Sequence, residues 1–164
     1  MKVIVIAVLS ANGKIARFGS SEIDWSSKDD LEWFKKKTKE IGIVVCGRKT
    51  FETFRGPLKD RMNIVMTRNP NKGRSENLIY TSDPPKQIIH FAEELGYSYL
   101  AIIGGREIFT LFMNENLVDE LYLTYEPIFI DGIDLLDVSK DIKLNLLNIE
   151  MLGADFVVHY RVQK

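Results

Sequence analysis

Residues 43–50 read IVVCGRKT: an apolar run that ends at a glycine and two basic residues. Four consecutive apolar residues, mostly β-branched, predict a short strand buried on both faces. Gly47 then allows a tight turn, and the residues from Arg48 to Phe54 have the pattern of a short helix. A buried strand that leads directly into a helix is typical of a mostly parallel sheet covered by helices.

The same alternation of apolar runs and amphipathic stretches recurs along the chain, and it predicts a single α/β domain over residues 1–164. Because no helix is predicted near the C-terminal end, we expect an antiparallel hairpin at one edge of the sheet. The predicted strands are Val3–Leu9, Ile43–Cys46, Asn63–Thr67, Leu78–Thr81, Leu100–Ile103, Glu120–Tyr125 and Phe156–Val162. The predicted helices are Asp29–Ile41, Arg48–Phe54, Pro85–Leu95 and Glu107–Met113.

The composition excludes several classes of protein. Apolar residues make up 45% of the 164 residues and charged residues 27%, which is ordinary for a folded domain and unlike a disordered chain. Cys46 is the only cysteine, so an intramolecular disulfide and a thiolate metal cluster are excluded, and the two histidines match no metal motif. The apolar stretch Met1–Ser10 is too short to span a membrane and has no cleavage site after it. We therefore expect a cytoplasmic protein without a membrane or nucleic-acid partner.

The charges are divided unequally between the two halves of the chain. Residues 1–82 carry 16 Lys or Arg and 9 Asp or Glu, a balance of +7, whereas residues 83–164 carry 6 and 14, a balance of −8. An excess of positive charge in one half indicates an anionic partner for that half.

Basic and glycine residues follow three of the predicted strands directly. Gly47–Thr50, Thr67–Arg68 and Gly104–Gly105 occupy these positions. Ligands of open α/β sheets lie outside the carboxyl ends of the strands, where glycines and helix N-termini accommodate phosphate groups. The sequence therefore predicts a nucleotide or dinucleotide site, although it contains neither a Walker A motif nor Gly-x-Gly-x-x-Gly.

Two capping patterns overlap before the first predicted helix. Ser26 with Asp29, or Ser27 with Asp30, would match the Ser-x-x-Asp pattern of a helix N-terminus. Either pattern would explain the two acids as capping residues, and no further role is expected of Asp29.

Asp30 also has apolar neighbours. It shares a helical face with Phe34 and Thr38, and Leu31 and Trp25 flank it. Such surroundings would raise the pKa of the carboxyl unless a partner offsets them. Asp30 is therefore a candidate catalytic or ligand-anchoring acid.

Five segments in order along the chain resemble motifs of the dihydrofolate reductase family. They are Asp30–Thr38, Gly47–Glu52, Pro57–Arg68, Ile102–Phe109 and Leu121–Thr124. The first resembles the family pattern Asp-Leu-x-x-Phe-Lys-x-x-Thr, and the fourth resembles Ile-Gly-Gly-x-x-(Ile/Val)-(Tyr/Phe).

The resemblance implies a three-layer fold with an eight-stranded, mostly parallel mixed sheet, an antiparallel C-terminal hairpin and about four flanking helices. It implies NADPH-dependent reduction of 7,8-dihydrofolate to tetrahydrofolate, by hydride transfer to C6 and protonation at N5, within tetrahydrofolate biosynthesis and one-carbon metabolism. The partner would be this small-molecule substrate, and the protein would be a monomer or a homodimer.

The resemblance also implies roles for individual residues. The catalytic residues would be Asp30, Thr124 and Trp25. The residues that bind dihydrofolate would be Ile6, Val8, Asp30, Phe34, Phe54, Arg61 and Thr124, with Arg61 on the carboxylate of the glutamate tail. The residues that bind NADPH would be Val8, Ile15, Gly47, Arg48, Lys49, Thr50, Thr67, Arg68, Ile103, Gly104, Gly105, Arg106, Glu107, Ile108 and Phe109.

Two other functions stay open at this point. Asn12–Ala16, Trp25–Ser27 and Asn116–Thr124 resemble the NADPH-dependent pyrimidine reductase of riboflavin biosynthesis, which is expected to share the fold. A nucleotide-binding module without turnover is the second alternative. The chain also departs from the dihydrofolate reductase pattern in a longer loop, Ala16–Asp24, which would cover the nicotinamide.

Overall fold

The computed structural model describes residues 1–20, 22–70 and 73–164, and within them it contains eleven strands and four helices. The strands are β1 Lys2–Ser10, β2 Lys14–Arg17, β3 Ile43–Gly47, β4 Met62–Met66, β5 Arg74–Ser75, β6 Leu78–Thr81, β7 Tyr99–Gly104, β8 Glu120–Glu126, β9 Gly132–Asp134, β10 Leu144–Leu152 and β11 Asp155–Val162. The helices are α1 Lys28–Ile41, α2 Arg48–Glu52, α3 Pro85–Glu94 and α4 Arg106–Asn114.

Nine strands form one mixed sheet in the order β10-β11-β8-β1-β7-β3-β4-β6-β5. The central strands pair in parallel, whereas β8–β11, β10–β11 and β5–β6 are antiparallel. The predicted fold class, including the C-terminal hairpin, is confirmed. The sheet has nine strands where eight were expected, because the two residues of β5 add a short strand at one edge. A separate small sheet joins β2 to β9.

Four strands were not predicted individually. The strands β2, β5 and β9 have only four, two and three residues, too few to show an alternating pattern. In β10 the alternation is interrupted by an irregularity between Leu146 and Asn148. These strands depend on pairing with distant residues, which a local pattern does not report.

The core lies on both faces of the central strands. The strands β1, β3 and β7 are almost wholly buried, as their continuous apolar runs predict, and Phe112 of α4 is fully buried against the sheet. In α1, Thr38 and Ile41 are buried, whereas the apolar Leu31 is 56% exposed. The buried face of the first turn contains Asp30 instead, which turns Leu31 away from the core.

The structure decides between the two capping patterns of α1. The N-cap is Ser27, whose Oγ accepts a hydrogen bond of 3.0 Å from the backbone N–H of Asp30. The helix ends at Gly42, which has φ +89° and donates its N–H to the carbonyl of Thr38. A glycine suits this left-handed position because it has no Cβ. Both ends of the helix that carries Asp30 are therefore fixed.

Parts of two predicted loops fall outside the described residues. Ser21 belongs to the predicted loop Ala16–Asp24, and Asn71 and Lys72 belong to a loop predicted at Asn69–Asn77. Within the ranges 1–20, 22–70 and 73–164, no helix combines the length and apolar character that crossing a membrane requires. In the same ranges, no cluster of three or more His, Cys, Asp or Glu side chains could hold a metal ion.

Candidate active site

A cleft of about 1560 Å³ runs along the carboxyl ends of β3, β4, β6 and β7. Parallel strands all end at this edge, so the segments that follow them meet there. The middle of β1 and the first turns of α1 form one end of the cleft. The start of α2, the start of α4 and the residues after β4 form the other. The sheet thus brings together residues that are more than a hundred positions apart in the chain.

Asp30 is the acid at the first end of the cleft, and only 5% of its surface is exposed. Ser26 Oγ donates a hydrogen bond of 2.8 Å to Asp30 Oδ2, and the side chain of Thr124 also hydrogen-bonds the carboxyl. Burial raises the pKa of Asp30, and the nearby Asp155 adds to the increase, whereas the hydroxyls of Thr124 and Ser26 lower it. The direction of the pKa shift is the one that its apolar neighbours predicted.

The carboxyls of Glu126 and Asp155 are bonded to Ser27, at the start of the helix that carries Asp30, and neither was predicted as part of the site. The Ser27 backbone N–H donates to Glu126 Oε1 at 2.8 Å, and Ser27 Oγ donates to Asp155 Oδ2. Glu126 and Asp155 are 4% and 1% exposed. Burial raises the pKa of Glu126 to about 7, and the adjacent carboxyl of Asp155 contributes to this increase despite the Ser27 N–H. Asp30, Glu126 and Asp155 lie on α1, β8 and β11, so no local sequence pattern indicates that the three carboxyls meet.

The walls around Asp30 are apolar. Ile6, Val8 and Phe34 line this part of the cleft, together with Phe54 and Ile15. These five residues were predicted to contact the pterin, the nicotinamide or both. A flat aromatic ligand would bury its faces against such walls while its polar edge reached Asp30.

Two residues with a predicted catalytic role do not line the cleft. Thr124 is 1% exposed and is connected to the cleft through Asp30. Trp25 precedes the serines that hold Asp30, and its indole Nε1 is buried without a hydrogen-bond partner among the residues that the structure describes. Thr124 is next to the cleft in space, and Trp25 is next to cleft residues in the chain. The catalytic roles of both residues stay predictions.

All the residues predicted to bind NADPH lie around the cleft. Those that follow β3, β4 and β7 combine glycines with basic and hydroxyl side chains. They are Gly47, Arg48, Lys49 and Thr50 after β3, Thr67 and Arg68 after β4, and Ile103, Gly104, Gly105, Arg106, Glu107, Ile108 and Phe109 from β7 into α4.

The turn Gly104–Gly105 before α4 packs closely against Thr50 on one side and lines the cleft on the other. Gly105 is the N-cap of α4, and no side chain caps the helix there, so its first N–H groups can bind an anion. Gly104 has φ +138°, and a Cβ on Gly105 would lie 3.2 Å from Thr50 Oγ1. Together with the cations Arg48, Lys49, Arg68 and Arg106, this region fits the phosphates of a dinucleotide.

Arg61, like Thr124, is a predicted substrate-binding residue that does not line the cleft in the described part of the chain. It is 7% exposed and does not line the cleft. Its Nε donates to the carbonyl of Lys59 at 2.8 Å, and its Nη1 donates to Thr38 Oγ1 at 2.9 Å. Burial lowers the pKa of Arg61, and the charge of Asp60 opposes this shift. The predicted contact with the glutamate tail stays a prediction.

The loop between β2 and α1 contributes cleft residues that were predicted only collectively, as part of a loop that would cover the nicotinamide. Arg17, Ile23 and Asp24 line the cleft, and Arg17 Nη2 lies 3.3 Å from Asp24 Oδ1. This ion pair joins the two ends of the loop. The local sequence indicates a place in the cleft for these residues only through the position of the loop, just before the helix that carries Asp30.

Comparisons with known sequences point to one family. The sequence profile of the dihydrofolate reductase family matches residues 2–128. The dihydrofolate reductase of Buchnera aphidicola subsp. Baizongia pistaciae is 32% identical over 132 residues, which cover 80% of this chain and 75% of that protein. The dihydrofolate reductase of Haemophilus influenzae is 30% identical over 128 residues, or 78% of this chain and 74% of that protein.

Solved structures show the same fold. Dihydrofolate reductase from Enterococcus faecalis, complexed with NADP(H) and RAB-propyl, superposes with a TM-score of 0.76 at 24% identity, covering 99% of this chain and 97% of that one. A candidate riboflavin biosynthesis protein from Shewanella sp. PV-4 superposes with a TM-score of 0.82 at 20% identity, covering 100% of both chains. The fold therefore has neighbours both among dihydrofolate reductases and among proteins of riboflavin biosynthesis.

Proposed function

The chain belongs to the dihydrofolate reductase family and is an oxidoreductase, and on this premise we propose that it reduces 7,8-dihydrofolate to 5,6,7,8-tetrahydrofolate with NADPH. The observation that carries the proposal is that one cleft contains both a buried acid, Asp30, and a region of glycines and cations. The product would enter one-carbon metabolism.

In this proposal Asp30 anchors the polar edge of the pterin. A carboxylate accepts two hydrogen bonds from a forked pair of N–H donors, which the N3 and 2-amino groups of the pterin provide. Ser26 and Thr124 hold the carboxyl in place, and its raised pKa helps the site to keep a proton available for N5. Phe34 and Phe54 would pack against the rings and exclude water.

At the other end of the cleft, the chain would bind the cofactor by its phosphates. When bound, NADPH would supply the hydride that C6 accepts. The N–H groups at the start of α4 and the side chains of Arg48 and Lys49 would hold the pyrophosphate. Thr67 and Arg68 would meet the 2′-phosphate, which distinguishes NADPH from NADH.

The direct test follows NADPH consumption by absorbance, with dihydrofolate as the substrate and with NADH in a parallel reaction. We expect turnover with dihydrofolate and a clear preference for NADPH. Binding of NADPH without any dihydrofolate-dependent oxidation would instead support a binding module without turnover.

A second candidate is the pyrimidine reductase reaction of riboflavin biosynthesis. Two observations favour it: Arg61 does not line the cleft, and the sequence resembles that reductase at Asn12–Ala16, Trp25–Ser27 and Asn116–Thr124. The same assay with a ribosylamino-pyrimidine phosphate separates the candidates, because each predicts oxidation with one substrate and none with the other.

A further inference from the structure

Three buried carboxyls lie around the first turn of α1. Asp30, Glu126 and Asp155 are 5%, 4% and 1% exposed. Among residues 1–20, 22–70 and 73–164, no lysine, arginine or histidine forms an ion pair with any of the three. A buried charge without a counter-ion is costly, so this group is more stable when at least one of its carboxyls keeps a proton.

The sheet places Glu126 and Asp155 side by side. They come directly after the last printed pair in the antiparallel register of β8 and β11, at the end of β8 and the start of β11. Because side chains alternate along a strand, Glu126 lies on the same face of β8 as Thr124, which hydrogen-bonds Asp30. One face of the sheet therefore holds both the catalytic carboxyl and the pair of carboxyls next to it.

Ser27 connects this pair to the helix that carries Asp30. Its backbone N–H donates to Glu126 Oε1 at 2.8 Å, and its hydroxyl donates to Asp155 Oδ2. The same hydroxyl oxygen accepts the backbone N–H of Asp30 at 3.0 Å, as the N-cap of α1. A movement of either carboxyl would therefore shift the turn on which Asp30 lies.

The hydrogen bonds indicate where a proton is held. Asp155 Oδ2 accepts the Ser27 hydroxyl, whereas Oδ1 is buried without a donor among the described residues. Glu126 is within hydrogen-bonding reach of Asp155, and burial together with this neighbour raises its pKa to about 7, so a protonated Glu126 is the donor that fits. The residue that pairs with Glu126 on β1 is the uncharged Ser10. The pair then carries one proton and one negative charge, which lies on Asp155.

We propose that Glu126 and Asp155 are positioning residues for Asp30: the pair shares one proton, holds Ser27 with the first turn of α1, and keeps one negative charge beside the Asp30 carboxyl. The proposal rests on the proposed reduction of dihydrofolate, in which Asp30 anchors the pterin.

The negative charge has a consequence for the proton of Asp30. Burial raises the pKa of Asp30, and the charge of Asp155 on β11 adds to this increase. The hydroxyls of Thr124 on β8 and of Ser26 before α1 oppose both effects. With the pair in place, Asp30 keeps its proton up to a higher pH, which favours the protonation of N5.

The first test follows the carboxyls of the free chain and needs no reaction. Carbon-13 NMR of labelled aspartate and glutamate side chains measures each carboxyl against pH, with signals assigned in Glu126→Gln and Asp30→Asn. We expect Glu126 to titrate near pH 7. In Glu126→Gln/Asp155→Asn the amide oxygens can still accept from Ser27 but the charge is gone, so Asp30 should titrate at lower pH.

Two controls belong to this titration. Glu126→Gln alone keeps the charge of Asp155, and Asp29→Asn removes an exposed charge from the same turn, so Asp30 should titrate in both as in the wild type. An Asp30 titration that the double variant leaves unchanged would overturn the proposal, whatever reaction the chain catalyses.

The second test measures NADPH oxidation in a single turnover with dihydrofolate, so that product release does not contribute. We expect the ratio of the rate at pH 8 to the rate at pH 6 to fall about threefold or more in Glu126→Gln/Asp155→Asn, because Asp30 loses its proton at lower pH. Equal losses of rate at both pH values would mean that the pair is only structural, and would overturn the proposal. A wild type without any turnover would instead refute the proposed function, and the NMR titration would still decide the role of the pair.

Variants of Ser27 test the hydrogen-bonded link without changing a carboxyl. Ser27→Ala loses the hydroxyl that joins Asp155 to the backbone of Asp30, and we expect its single-turnover rate to fall about tenfold at both pH values. Ser27→Thr keeps a hydroxyl at the N-cap and should restore the rate to within about twofold of the wild type. A wild-type rate in Ser27→Ala would contradict the positioning role.

Discussion

At the scale of single residues, Asp30 combines burial with a limited set of hydrogen-bond partners. Its 5% exposure and the hydroxyls of Ser26 and Thr124 give a carboxyl that is fixed in direction and costly to ionise. Asp29, one residue earlier in the same helical turn, is exposed. The two acids are alike in the capping pattern, but they differ in their apolar neighbours and in burial.

We predict that Asp30→Asn lowers turnover with dihydrofolate at neutral pH by about 100-fold or more, because it removes the anchoring carboxylate and its proton. The dissociation constant for NADPH should stay within about twofold, since the phosphate region lies at the other end of the cleft. Asp29→Asn is the control and should turn over like the wild type. Full activity in Asp30→Asn would remove Asp30 from the reaction.

A second prediction at the scale of single residues concerns Arg61. We expect Arg61→Ala to raise the KM for dihydrofolate on the order of 10- to 100-fold with a smaller effect on kcat, the usual range for loss of a charge-assisted pair. The variant also loses the hydrogen bond to Thr38, so its melting temperature should fall. If only the melting temperature changes, Arg61 is a structural residue of α1 and does not bind the substrate. Arg55→Ala, an exposed neighbour, is the control.

At the scale of elements, the junction between β7 and α4 depends on the absence of side chains. Gly104 adopts φ +138°, a conformation that other residues rarely adopt, and a Cβ there would lie 3.4 Å from the side chain of Thr50. The junction therefore packs against the start of α2, and both turns face the cleft.

We predict that Gly104→Ala raises the dissociation constant for NADPH about tenfold or more, because the turn must shift where the N–H groups face the cleft. Gly96→Ala makes a matched control: Gly96 also has positive φ, +89°, but a Cβ there meets nothing within 4 Å and it lies outside the cleft. It should lower the melting temperature without changing NADPH binding. Equal NADPH affinity in both variants would contradict the prediction. Fluorescence titration of NADPH measures the difference.

At the scale of the whole molecule, a buried group of carboxyls connects α1 with the C-terminal half of the sheet. The N-cap Ser27 bonds to Glu126 at the end of β8 and to Asp155 at the start of β11, and Asp30 is next to both strands. Asp155 Oδ1 is buried without a donor in the described parts of the chain. A proton held between Glu126 and Asp155 would give the Asp155 carboxylate the hydrogen-bond donor that it lacks.

This arrangement predicts a pH-dependent stability. The pKa of Glu126 is about 7 in the folded chain and near its ordinary 4.5 when unfolded. The folded state therefore binds more protons between these values, and the free energy of unfolding decreases as pH rises through that range. Asp155 and the backbone N–H and hydroxyl of Ser27 are the groups that face this carboxyl.

We expect the melting temperature of the wild type to fall between pH 5 and pH 8 by on the order of 5 °C more than that of Glu126→Gln. Glutamine resembles the protonated acid: its oxygen can accept the Ser27 N–H and its amide can donate to Asp155. The exposed Glu76→Gln should behave like the wild type. Parallel pH curves for wild type and Glu126→Gln would show that the carboxyl pair is not the cause.

The sequence by itself determined the fold class, the order of the main strands and helices, and the segments that follow β3, β4 and β7. It could do so because continuous apolar runs, helical periodicity and glycine positions are local properties of the chain. It also predicted Asp30 as a candidate acid, since its apolar neighbours lie within a few residues of it.

Only the tertiary structure decided which groups meet. The choice of Ser27 as the cap of α1, the Glu126 and Asp155 carboxyls beside it, and the burial of Arg61 against Thr38 all involve residues from different elements. The short strands and the exposed edge at β10 likewise follow from pairing between distant segments. The physical reason is that burial and hydrogen bonding act on neighbours in space, and a linear pattern reports only neighbours in the chain.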